Sequence, residues 1–163
     1  MKRILVLIDS HGNVNNMVTA VGRLHPDMII HLGDCWADAE QLHRKFPMTV
    51  MEQVPGNCDC RQEVQERILL IEGKKILICH GHTFNVKAGY LNLEYAAEER
   101  KVDAALFGHT HRVFYDKHNR ITYMNPGSIG QPPYGIPPSY GVLQVDGSSN
   151  TIATDVIYLE ENN

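Results

Sequence analysis

The first 54 residues alternate wholly apolar runs with stretches whose apolar residues recur at helical spacing, which leaves few architectures open. "ILVLI" (4–8) has no polar position, as expected of a strand buried on both faces. Next, Val14, Met17, Val18, Val21 and Leu24 fall at i, i+3, i+4, i+7 and i+10, one helical stripe that Pro26 stops. "DMIIHL" predicts a second strand and "MTVMEQV" a third. Between them "WADAEQLHRKF" predicts a helix with Trp36, Ala39, Leu42 and Phe46 inward. Strand–helix–strand–helix–strand order implies parallel neighbours joined by right-handed crossovers.

The second half reads differently. "ERILLIEGKKILICHG" is a hairpin pattern turning at Glu72-Gly73. "LNLEYAAEERK" predicts a short helix ahead of the strand "VDAALF". Two further hairpins follow, with turns expected at Lys117–Asn119 and Asp146–Asn150. A helix-rich half and a hairpin-rich half suggest two sheets packed face to face with helices outside. With 163 residues, 43% hydrophobic, the chain suffices for one domain spanning 1–163. The Pro-rich "QPPYGIPPS" (131–139) is expected to be a rigid loop, and "MNPGS" (124–128) a turn.

Net charge is −4 and no Lys/Arg run is present, so bulk nucleic acid is not expected as the main partner. The apolar start halts at Asp9, too short for a signal segment or a membrane span, so a cytoplasmic protein with no membrane contact is expected. Cys35, Cys58, Cys60 and Cys79 form no disulfide-type pattern and are expected to be reduced thiols.

Each apolar run ends in side chains that bind metals. "ILVLI" leads to Asp9 and His11, "MIIHL" to Asp34, and "MEQVP" to Asn57. "KILIC" leads to His80, and "DAALF" to His109 and His111. In open α/β sheets the carboxyl ends of the strands face one crevice, so residues scattered from 9 to 111 should converge. One tetrahedral site needs about four ligands. This larger set suits two ions, and mixed nitrogen and oxygen donors suit Mn²⁺, Ni²⁺, Fe²⁺ or Zn²⁺. Taken singly, each residue has a plainer reading. Asp9 and Asp34 would cap the helices after them, Asn57 would form a turn with Gly56, and His80 would be a core histidine. His25, His31, His43 and His118 read as structural or solvent-facing.

The blocks Asp9-x-His11, Gly33-Asp34, Gly56-Asn57, His80-Gly81 and Gly108-His109-Thr110-His111 resemble the calcineurin-like metallophosphoesterase signature. Length and "GNCD" (56–59) are similar to its small bacterial and archaeal phosphodiesterase branch. The resemblance implies a four-layer α/β/β/α sandwich with two mixed sheets. It also implies a metal-dependent phosphodiesterase whose paired ions, most simply Mn²⁺, activate a bridging hydroxide for in-line attack on phosphorus. Carried over by motif, Asp9, His11 and His111 hold one ion, Asn57, His80 and His109 the other, and Asp34 bridges.

Many members carry His after the Asn, whereas this chain has Cys58. That favours diesters with good leaving groups, or proton delivery by water or by His82, which a strand would place on the face of His80. Asp34, Asn57 and His82 are therefore the candidate catalytic residues. The implied partner is a small phosphodiester, with a homo-oligomer (dimer or tetramer) left open. Competing readings are a protein-binding scaffold on the same fold, as in a retromer subunit, and a phosphomonoesterase or small nuclease.

Overall fold

In the computed structural model, which describes residues 1–159, the first apolar run forms β1 (Lys2–Leu7), and its side chains alternate between two cores. Ile4, Val6 and the following Ile8 join Ile76, Ile78, Leu106 and Met124; Leu5 and Leu7 pack on Met17, Val21 and Leu42. Apolar partners on both faces explain why the run has no polar position. β2 (Met28–His31) and β3 (Val50–Gln53) extend the sheet in parallel, with Ile4 opposite Met28 and Ile30 opposite Glu52. The hairpin of β9 (Ser139–Asp146) and β10 (Thr151–Tyr158) completes the order β10-β9-β1-β2-β3, with β9 antiparallel to β1.

The second sheet comprises β4 (Glu66–Ile71), β5 (Lys74–Cys79), β6 (Ala104–Leu106), β7 (Val113–His118) and β8 (Ile121–Pro126). Its order is β4-β5-β6-β8-β7, with β5, β6 and β8 parallel and β4 and β7 antiparallel at the edges. α1 (Val14–Leu24) and α2 (Trp36–Lys45) cover the outer face of the first sheet. α3 (Leu91–Glu99) covers the second, seating Leu93 and Ala97 against Leu77 and Phe107. The expected α/β/β/α layering is observed. Among the described residues, no helix is long and apolar enough to cross a membrane.

Glu72 and Gly73, at φ 50° and 80°, form the left-handed two-residue turn expected there. The next hairpin turns later, at Asn119 and Arg120, because Lys117 and His118 still pair with Thr122 and Ile121. "MNPGS" is not all turn: β8 runs through Pro126, at the strand's last position, and Gly127 turns at φ 81°.

The two sheets nearly touch at the end where β1, β2, β5 and β6 finish. The His80 Nδ1–H donates across the gap to the Leu32 carbonyl at 3.0 Å. A Cβ on Gly108 would lie 1.8 Å from Ile8 Cδ1, so only glycine fits between the sheets.

Candidate metal centre

Asp9 and His11 follow β1, Asp34 follows β2, Asn57 follows β3 and His80 follows β5. His109 and His111 lie in the loop after β6, which ends at Leu106, so the i, i+2 spacing is not strand spacing. The loop parts the two rings: His109 lies against His80, centroids 5.0 Å apart, and His111 against His11, at 5.4 Å.

Asp9, His11, Asp34, His109 and His111 all have left-handed backbone, with φ between 44° and 67°. That conformation costs an L-residue about 1–2 kcal/mol and persists where the surroundings over-determine it. At Asp9 they do. Its N–H donates to the Gly33 carbonyl at 3.1 Å, and its carbonyl accepts from Ser128 Oγ at 2.9 Å and Gly130 N at 3.2 Å. Neither acid caps a helix. Asn13 caps α1, its Oδ1 accepting the Asn16 N–H at 3.1 Å, and α2 has no side-chain cap.

Asp34 Oδ2 lies 3.6 Å from His11 Nε2 and 3.6 Å from His80 Nε2. Asp9 Oδ2 is 3.5 Å from His111 Nε2, and Asp9 Oδ1 is 3.9 Å from His80 Nε2. His80 Nε2 and His109 Nδ1 stand 3.2 Å apart. Donor atoms of Asp9, His11, Asp34 and His111 lie within 4.8 Å of one another. Asp34 Oδ2 thus stands between that quartet and the His80–His109 pair. Two tautomers follow, because carbonyls only accept. His80 Nδ1 donates to Leu32 and His111 Nδ1 donates to the Gln131 carbonyl at 2.7 Å, so in the neutral rings both Nε2 atoms present lone pairs.

Asp9 is 0% exposed, and neither carboxylate oxygen has a hydrogen-bond partner; His11 Nε2 is equally orphaned. Burial, then the Asp34 charge, push the Asp9 carboxyl up to about 8. Burial also pushes Asp34 up, but His80, the Cys58 N–H and thiol, and His11 hold it below its ordinary range. Burial lowers His80 to about 4, leaving its ring neutral. Without metal, Asp9 answers its burial by keeping a proton near neutral pH; a divalent cation among these lone pairs and carboxylate oxygens would answer it in the proton's place. The donor set fits divalent ions on this ground.

Asn57 is exposed and its amide donates to Cys58 Sγ at 3.6 Å; its side chain is the one candidate with no contact to the cluster. Its turn is nonetheless pressed on Asp34, whose Oδ1 accepts the Cys58 N–H at 3.0 Å. A Cβ on Gly56 would lie 2.1 Å from Asp34 Oδ1 and 2.5 Å from Asp34 N. Gly56→Ala is therefore expected to displace Asp34, lowering the melting temperature of metal-free protein by about 5 °C or more and reducing bound metal. Wild-type metal content by elemental analysis would show that the turn yields instead.

His82 does not continue β5 but opens a single 3-10 turn (His82–Phe84). Its ring still lies 5.3 Å from that of His80 and 6.1 Å from that of His109, and its Nδ1 is buried without a partner. Cys79 is fully buried in the outer core, as strand alternation requires. Asp59 ties two loops together, accepting from Trp36 N at 2.7 Å and Gly56 N at 2.8 Å. Arg61 stacks on Trp36, 4.9 Å from the ring centre.

Three contributors lie outside the ligand set read from the sequence. The Gln131 carbonyl, which opens the Pro-rich loop, sets the His111 tautomer; Ser128 holds the Asp9 backbone. Lys87 opposes burial at Asp9 and adds to it at His109, so its positive charge reaches the cluster. Backbone carbonyls have no residue signature, and nothing in the spacing around Lys87 marks it.

Nitrogen and oxygen donors gathered at the strand ends of an α/β/β/α sandwich define a candidate metal centre. Residues 1–148 match the calcineurin-like phosphoesterase superfamily domain, and the chain belongs to that family; it is a metallophosphoesterase. A probable metallophosphoesterase of Bacillus subtilis strain 168, YsnB, is 34% identical over 153 residues, 91% of this chain and 88% of its own. Phosphodiesterase YfcE of Escherichia coli strain K12 is 30% identical over 114 residues, 70% of this chain and 50% of its own. The crystal structure of a predicted phosphoesterase from Streptococcus pneumoniae TIGR4 superposes with TM-score 0.78 at 26% identity, covering 96% of this chain and 89% of that one.

Proposed function

We propose that the chain, acting as one domain, is a phosphodiesterase that uses two divalent ions, most simply Mn²⁺, on small phosphodiesters. The observation that carries this reading is Asp9, a fully buried carboxylate with both oxygens unpartnered and imidazoles around it. Relatives named metallophosphoesterase and phosphodiesterase favour the enzyme over a protein-assembly scaffold on the same fold. Asp9, His11 and His111 would hold one ion and His80 and His109 the other, with Asp34 shared through Oδ2. Asn57, whose exposed amide lies next to the turn pressed on Asp34, would supply a further oxygen donor to the second ion. Divalent ions held there would supply Lewis acidity, making a water more acidic for attack on phosphorus and neutralising charge on the phosphate oxygens.

The protein's own groups narrow the substrate. Burial, the hydrogen bond to Asp34 and the Asp34 charge push the Cys58 thiol up to about 11, too weak an acid to protonate a leaving group. His82 is half-buried, and burial lowers its pKa, so near neutral pH it offers an uncharged N–H beside His80 and His109. Diesters with good leaving groups suit such a site. The name of the E. coli relative, a phosphodiesterase, supports the same class.

Purified protein with Mn²⁺ is expected to hydrolyse bis(p-nitrophenyl) phosphate and to lose that activity in chelator. In ¹⁸O-water the product should carry one heavy oxygen on phosphorus. Faster turnover of p-nitrophenyl phosphate than of the diester would reassign the substrate class. No turnover of either with Mn²⁺, Ni²⁺, Fe²⁺ or Zn²⁺ would sink the enzymatic reading.

A further inference from the structure

Beneath the two carboxylates lies a directed chain of buried hydrogen bonds. Ser10 and His31 are both 0% exposed. The Gly33 N–H donates to His31 Nδ1 at 3.3 Å, so that nitrogen is an acceptor and the ring proton of the neutral imidazole sits on Nε2. His31 Nε2 is 3.2 Å from Ser10 Oγ, and Ser10 Oγ is 3.3 Å from the Asp34 carbonyl. A hydroxyl has one proton. Because His31 donates to Ser10, that proton must go to Asp34, and reversing any link would leave the Asp34 carbonyl without its donor.

Position gives the chain its importance. The backbone ladder between β1 and β2 ends with Asp9 N to the Gly33 carbonyl at 3.1 Å. Beyond it both strands leave in left-handed conformations, Asp9 at φ 52° and Asp34 at φ 58°. Among the described residues, no backbone–backbone bond joins 10–12 to 34–35. Ser10 Oγ makes the first link past the ladder. Gly130 packs directly on the Ser10 backbone, since a Cβ there would lie 1.8 Å from the Ser10 carbonyl oxygen.

We propose that Ser10 and His31 are positioning residues of the metal centre: their bonds tie the Asp34 backbone to the Asp9–His11 loop and set the gap between the two carboxylates. The inference rests on reading Asp9 and Asp34 as metal ligands. Groups that orient ligands in this way typically govern metal affinity or activity by about 10- to 100-fold.

Titration calorimetry with Mn²⁺ on chelator-treated protein, followed by diester kinetics at saturating Mn²⁺, tests it. Ser10→Ala is expected to weaken Mn²⁺ binding about 10- to 100-fold. At saturating Mn²⁺, kcat should fall while KM for the diester stays within about twofold, since the substrate does not touch Ser10. His31→Met should behave like Ser10→Ala. His31→Gln, whose amide can still donate to Ser10, should recover most of the loss, and this pair decides the matter if Ser10→Ala does not fold. A lowered melting temperature with unchanged Mn²⁺ affinity in both Ser10→Ala and His31→Met would overturn the positioning role. Wild-type protein that binds no Mn²⁺ would overturn the metal centre and this inference together; wild-type binding that the variants match would overturn the inference alone.

Discussion

Asp34→Asn is expected to cut diester turnover at least about a thousandfold, some 4 kcal/mol of transition-state stabilisation, and to lower bound Mn²⁺ from two ions to at most one. The expectation follows from one oxygen. Asp34 Oδ2 is 3.6 Å from imidazole nitrogens on both sides, His11 and His80, and stands where the two sets of donors meet. An amide keeps the carboxylate's shape, and its oxygen can still accept the Cys58 N–H now bound at 3.0 Å. Its NH₂ in place of Oδ2 brings neither charge nor a lone pair for an ion. Loss of metal is thereby separated from loss of fold, which Asp34→Ala would confuse. Elemental analysis and initial rates on the same preparation decide it. Two ions and undiminished turnover in Asp34→Asn would remove Asp34 from the centre and the two-ion mechanism with it.

Why the site was legible in sequence, and its details were not, has a physical basis. Burial on two faces forces a run such as Ile4–Ile8 to be apolar throughout, so the run's end marks where the chain emerges at the crest. Asp9, Asp34 and His80 stand at such ends and were found by that signal alone. His109 and His111 come from the same signal, the end of the run 104–107, but the neighbour each ring meets could not be read there. Strand periodicity would place both rings on one face, whereas β6 stops at Leu106 and a left-handed loop sends them to different neighbours. Backbone angles at single non-glycine residues leave no mark in composition, because long-range bonds such as Ser128 Oγ to the Asp9 carbonyl impose them. His31 shows the same limit. It was read as structural from its place in a strand, and only the three-dimensional path from Gly33 to Asp34 gives its ring a direction.

In chelator-treated protein, Asp9 is expected to make stability fall as pH rises from about 6.5 to 8, by up to about 2 kcal/mol. Burial and the Asp34 charge raise its folded pKa to about 8 from an ordinary 3.8. Between those values the folded protein holds a proton that the unfolded chain has released, so raising the pH favours unfolding. The buried histidines act oppositely but lower down. His31 and His80, lowered to about 4 by burial, stay neutral in the fold, while the unfolded chain protonates them below about 6.5. Their effect raises stability with pH from about 4 to 6.5 and is then spent, which leaves the window above to Asp9. Asp9→Asn should flatten that window and raise the metal-free melting temperature at pH 8, while abolishing Mn²⁺ binding at the site shared with His11 and His111. In wild-type protein Mn²⁺ should reverse the slope, because the ion captures the deprotonated carboxylate and its affinity grows as the proton leaves. Denaturant unfolding at pH 6.5, 7.2 and 8, with and without Mn²⁺, measures all three. A metal-free wild type whose stability is level or rising across that window would show that Asp9 meets no unrelieved burial. The main support for a cation at the crest would then be gone.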